Sequence, residues 1–223
     1  MRRFQPLAAL FICALSAVAQ AHLPITEKIE WTWSDRPDTT SPDLPNVLLV
    51  GDSITRAYYP EVAKQLSGEA NVYLFATSAA SGDPRLAQQL GGYFRMMGLG
   101  FAVIHFNNGM HGWGYTEKQY ASGLPAMIAA LRAGAPKARL IWANTTAVLH
   151  DSQTGESTNA RIVQRNLLAA ACMAREGVSV DDQHALMLPH PEFHDGDVHF
   201  TAAGSALQAA QVTAALRPLL ARR

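Results

Sequence analysis

Cysteine is almost absent from this 223-residue chain, which carries only Cys13 and Cys172. Charge of one sign is missing as well: 18 basic residues stand against 18 acidic ones, with no block of lysine or arginine. A nucleic-acid binder needs a basic stripe to neutralise phosphates, so that class of partner is not expected. No internal repeat and no low-complexity segment appears. No apolar run is long enough for a membrane span, which takes about 20 residues. What is present is apolar bulk: 48% hydrophobic against 16% charged residues excludes a disordered chain and suits one compact domain with a sizeable core.

The first 21 residues read differently from the rest. Arg2 and Arg3 give a positive start, an apolar run extends from Pro6 to Val18, and Ala19-Gln20-Ala21 supplies small residues for cleavage. That order predicts a secretory signal peptide, a secreted or periplasmic protein, and a mature chain beginning at His22. Cys13 leaves with the signal. Cys172 then stands alone, so no internal disulfide forms. It falls among helix formers, with Leu167, Leu168 and Ala171 at helical spacing, and is expected as a buried structural thiol.

Residues 22–45 are rich in Pro, Asp, Ser and Thr and include Trp31 and Trp33; they predict an extended arm packed on the domain of residues 46–223. From Asn46 onward strands and helices alternate. Short apolar runs predict strands at 47–50, 71–75, 101–106, 139–143 and 178–180. Helices are expected at about 56–66, 85–97, 116–131, 158–175 and 201–216. The fold class is therefore α/β: a mostly parallel five-stranded sheet inside a three-layer α/β/α sandwich. Such sheets place their sites at the carboxyl ends of the strands.

The residues at those ends carry the chemistry. Gly51-Asp52-Ser53-Ile54-Thr55 follows the first strand. A serine at a strand-to-helix turn exposes its hydroxyl beside a helix N-terminus, which suits a nucleophile, although Ser and Asp there also suit a helix cap. A serine nucleophile needs a base, and Asp195-Gly196-Asp197-Val198-His199 lies just before the last helix. His190, His194 and His199 offer a rival metal reading, but their spacing is loose and Pro191 interrupts it, so no metal is expected. Gly82, in Ser81-Gly82-Asp83, lets backbone approach a substrate and present an N–H. Asn107-Asn108-Gly109 after the third strand offers an amide donor to an oxyanion, or simply a turn.

The ordered set GDSIT, SGD, an Asn-Gly segment and a late Asp/His block resembles the SGNH (GDSL-like) hydrolases from about Asn46 to Leu220. The resemblance implies a flavodoxin-like sheet and a serine esterase that needs no cofactor. It implies Ser53 as nucleophile, His199 as base, and oxyanion donors at the Ser53 and Gly82 backbone and at an asparagine. Two departures from the family pattern stand out. The third block reads HFNNG instead of GxND, so the donor is Asn107, which directly follows the strand, or Asn108. The family's acid stands three residues before the histidine, where this chain has Gly196. Asp197 is the first choice to orient His199; Asp195 or a dyad without an acid are the alternatives.

Double displacement through an acyl-enzyme is then the expected mechanism. Export and the lack of a long apolar lid segment favour small acyl esters, acetyl foremost, on carbohydrates. Lysophospholipase or thioesterase activity is the alternative, and an inactive glycan- or protein-binding relative belongs to a different class. Trp113 and Tyr115 are candidates to stack on a sugar, Tyr58 and Tyr59 to line the acyl pocket, and His111 to shape it. His105, inside a strand, is expected as a satisfied buried histidine.

Overall fold

The computed structural model describes residues 23–220. The signal segment and the cleavage point at His22 lie outside them. The chain runs β1 (Thr32–Asp35), β2 (Asn46–Gly51), α1 (Ser53–Gln65), β3 (Asn71–Thr77), α2 (Arg85–Met97), β4 (Val103–Phe106), α3 (Glu117–Gly134) and β5 (Arg139–Ala143). It continues with α4 (Asn159–Glu176), β6 (Ser179–Asp181), α5 (Gln183–Met187), β7 (His194–Asp195), β8 (His199–Phe200) and α6 (Ala202–Leu220).

Alternate side chains of the central strands feed two cores, as the period of a strand dictates. Leu48 and Val50 of β2 join Ile104, Phe106 and Trp142 under α2, α3 and α4. Val47 and Leu49 face the other way, toward Val62 of α1 and Val212 and Leu216 of α6. Both faces are thus covered, which is why these strands read as continuous apolar runs.

The sheet has six strands in the order β1-β3-β2-β4-β5-β6, one more than the five expected. The addition is β1, which pairs antiparallel with β3 from Thr32↔Thr77 to Asp35↔Leu74. All four of its residues are exposed. An edge strand with no buried face leaves no alternating pattern, so only its extended character was legible. The five parallel strands match the sequence-based expectation. Their winding reverses between β2 and β4, and the crevice at such a reversal is where open α/β sheets bind ligands. Ser53 follows β2, and Asn107 follows β4.

Candidate active site

Helix α1 starts three residues earlier than the sequence suggests, and the cap explains how. Asp52, almost fully buried, accepts the Ile54 N–H at 2.9 Å and so takes the N-cap role. Ser53 is left as the first helical residue with its hydroxyl uncommitted to the helix. That hydroxyl meets the candidate base: Ser53 Oγ lies 2.8 Å from His199 Nε2. The first N–H groups of a helix have no internal acceptor, so the Ser53 amide also faces outward with the positive end of the helix dipole.

His199 is carried by a small ribbon in which β7 and β8 pair antiparallel, with Asp195 directly opposite His199. Gly196 turns the ribbon at φ +72°, a left-handed conformation that favours glycine. Asp197 is engaged with a different histidine. Its carboxylate lies 2.8 Å from His150 Nδ1, and its carbonyl accepts the Leu149 N–H, which ties the ribbon to the loop after β5. Directly opposed residues of a ribbon project to the same face with Cβ atoms about 5 Å apart, so Asp195 shares a ribbon face with His199. No side chain among the described residues is hydrogen-bonded to His199 Nδ1. The three histidines considered for a metal disperse: His190 pairs with Glu192, His194 packs on Phe200, and His199 meets Ser53.

The loop after β4 forms the facing wall. Asn107 continues the sheet through its N–H to Val50 O, accepts the Gly109 N–H at 2.8 Å, and donates to Ala143 O and, at 3.3 Å, to Thr145 Oγ1. Asn108, fully buried, donates to Thr77 O at 3.1 Å. Both asparagine amides thus brace the loop. Gly82 lies in the neighbouring turn, packed so closely on Tyr115 that an added Cβ would sit 3.1 Å from its ring.

Sequence reading missed what holds this loop. Arg165 of α4 is fully buried and donates to the carbonyls of Gly109, His111 and Gly112 at 2.8–2.9 Å. Its guanidinium lies 4.0 Å from the Trp113 ring centre and 4.7 Å from that of Tyr120. Burying a cation costs several kcal/mol, which these acceptors and ring faces offset. Burial still pushes its pKa down to about 10, so it stays charged at neutral pH. Beside it Arg161 donates to Glu117 at 2.6 Å and to Tyr115 O at 2.9 Å. One clue was available: Arg165 shares a helical face with the buried Ile162, Ala169 and Cys172.

The aromatic candidates are only partly in place. Trp113 lines the cleft with Ser53 and His199, one face taken by Arg165. Tyr115 is buried, and its hydroxyl accepts the Ile25 N–H, so it is no sugar platform. Tyr58 and Tyr59 are buried too. Tyr58 lines a small cavity of about 20 Å³ together with Asp52, Asn107 and Gln183, and Tyr59 donates to Val72 O. Their side chains point into the core because α1 turns that face to the sheet. His111 does line the cleft. His105 is buried with Nε2 2.9 Å from Asp181, and Cys172 is buried and free, its thiol pKa raised by burial.

Comparison with known proteins places this geometry. The family model described as GDSL-like lipase/acylhydrolase matches residues 49–207. A search of curated proteins found no match. Among solved structures, the native aryl esterase of M. smegmatis is 14% identical with a TM-score of 0.66, over 79% of this chain and 100% of that one. A carbohydrate acetylesterase from Sinorhizobium meliloti is 12% identical with a TM-score of 0.62, over 78% and 99%. A carbohydrate esterase family 3 protein from Talaromyces cellulolyticus is 15% identical with a TM-score of 0.61, over 79% and 98%. At these identities the likeness is one of fold.

Proposed function

Since the chain belongs to the GDSL-like lipase/acylhydrolase family, we propose that it is a serine esterase that removes small acyl groups, acetyl foremost, from carbohydrate esters. The observation that carries this is the 2.8 Å contact between Ser53 Oγ and His199 Nε2 at the reversal of the sheet. Two of the structural neighbours bear carbohydrate esterase names, which supports the choice of substrate class.

In the first half-reaction His199 Nε2 takes the Ser53 proton while Oγ bonds to the ester carbonyl carbon. The carbonyl π pair moves onto oxygen. Collapse of that tetrahedral intermediate breaks the bond to the leaving alcohol, which receives the proton from His199. Water then repeats the sequence on the acyl-enzyme and releases the acid. The Ser53 N–H is the first oxyanion donor and the Gly82 N–H the second. Asn107 serves as the third by trading its 3.3 Å bond to Thr145 for the oxyanion, with Asn108 the alternative donor. Asp195, directly opposite His199 in the ribbon, is the first candidate to orient its ring; Asp197, engaged with His150, is the weaker one. We also place the mature protein outside the cytoplasm, on the strength of Arg2, Arg3, the apolar run to Val18 and the Ala-Gln-Ala that follows.

The test is hydrolysis of p-nitrophenyl acetate by the mature protein beside Ser53→Ala. Activity that vanishes in the variant is the expected result. Equal rates in both, or none in either, would sink the assignment.

A further inference from the structure

A stretch of the arm stands in the wall of the cleft. Ile25, Thr26, Glu27 and Lys28 border an opening of about 560 Å³ together with Ser53, His199 and the loop from Met110 to Gly114. The segment matched by the family model begins at residue 49, so this wall lies outside the shared hydrolase core.

The arm is fixed there by directed bonds. The Gly112 N–H donates to Glu27 Oε1 at 2.8 Å, and His111 Nδ1 lies 2.9 Å from Oε2. The Ile25 N–H reaches Tyr115, and Trp31 exchanges backbone and hydroxyl bonds with Ser78 while its ring meets His111 edge-on at 5.8 Å. Burial opposes the charged form of both Glu27 and His111. Burial is the largest single influence, but their mutual bond, the Gly112 N–H on Glu27 and the carboxylates of Asp52 and Glu30 near His111 together outweigh it, so Glu27 titrates below and His111 above the ordinary range. Glu27 thus grips one backbone N–H and one imidazole ring of the opposite lip.

What the opening presents is mixed. Ile25, Met110 and part of Trp113 are apolar; Thr26, Lys28 and Glu156 carry hydrogen-bonding groups, and neither Lys28 nor Glu156 has a side-chain partner among the described residues. A pyranose ring has C–H faces and hydroxyl edges and matches such a lining. An acyl chain has no use for the two free charges.

We propose that residues 25–28, clasped by Glu27 to His111 and Gly112, form the subsite for the leaving alcohol, and that this alcohol is a polyhydroxylated, glycosyl-sized group. Glu27 is its positioning residue, and Lys28 contacts the hydroxyls. This assignment rests on the esterase activity proposed above.

The experiment uses the mature protein and its Glu27→Gln and Lys28→Ala variants. It compares kcat and KM on acetylated xylobiose and on phenyl acetate, with fluorophosphonate labelling of Ser53 run alongside. Each substitution is expected to lower the ratio of kcat/KM on the disaccharide ester to that on phenyl acetate about ten-fold, through KM on the disaccharide, as loss of one charge-assisted bond predicts. Lys28, exposed and unpartnered, serves as the variant with no folding role. Labelling and hydrolysis with an unchanged ratio in both variants would overturn the subsite and leave the esterase standing. A fall in kcat on both substrates equally would reduce Glu27 to a structural tie and overturn its role. A wild type that neither labels nor hydrolyses either ester overturns both.

Discussion

The two sides of the cleft are built by opposite rules. On one side the loop from Asn107 to Thr116 is pinned from every direction: by Arg165 to three carbonyls, by Arg161 to Tyr115 O, and by Glu27 to the Gly112 N–H. On the other side the base stands exposed on a two-residue strand beyond a glycine turn, joined to Ser53 by one 2.8 Å contact. The contrast has a chemical sense. A proposed oxyanion donor such as Asn107 acts best when little has to move, and a pinned loop keeps its rearrangement to one exchanged bond. A base that takes a proton from serine, gives it to an alcohol and then takes one from water must stay open to all three.

The contrast is broken most completely by His199→Ala. Turnover is expected to fall about 10⁴-fold or more, because a serine without its base loses nearly the whole advantage of the pair. Thermal unfolding should be nearly unmoved, since His199 is exposed. Kinetics beside calorimetry checks both halves. Arg165→Met is the converse. It strips the donor from three buried carbonyls, so stability should drop by about 3 kcal/mol, seen as a fall in Tm of about 6–12 °C. A Tm within a degree of wild type would show the loop to be held by other means.

The open side is sharpened by its two aspartates. Asp195→Asn is expected to lower kcat about ten-fold or more by loosening the His199 ring, and Asp197→Asn to lower it far less, because Asp197 faces His150. Reversal of that order in steady-state kinetics would return the orienting role to Asp197.

The Glu27–His111 clasp carries a pH signature. The raised His111 contributes stability that is full below its ordinary 6.5 and is lost as pH rises through its higher folded value. The lowered Glu27 contributes stability present above its ordinary 4.5 and lost as pH falls through its depressed value. The Tm gap between wild type and Glu27→Gln should therefore be widest between those ordinary values and narrow on the alkaline side. A gap flat with pH would mean the clasp acts through the Gly112 N–H alone. The smallest effect belongs to His150→Ala: with side chains 74% and 61% exposed, the His150–Asp197 pair should be worth less than about 1 kcal/mol in denaturant unfolding.

How much of this was legible depends on where a residue's partner lies. The parallel strands were, because β2 reads Val-Leu-Leu-Val when both faces are buried. The blocks that hold Ser53 and His199 stood out too, because each has a recognisable local order, one directly after β2 and one just before the last helix. The acid was less legible, since Asp195 and Asp197 straddle the usual position, and ribbon register sets Asp195 opposite His199. Arg165 and Glu27 escaped for another reason. Their partners are largely backbone groups of a distant loop, and a carbonyl or an N–H leaves no mark on the sequence.

The contact between Ser53 and His199 joins positions 146 residues apart. A chain still being synthesised therefore carries Ser53 for most of that time without its proposed base. It gains the base only when the last helix, α6, settles against α1. On the proposed mechanism the site is complete only once the polypeptide is, and a product ending before residue 199 lacks the proposed base.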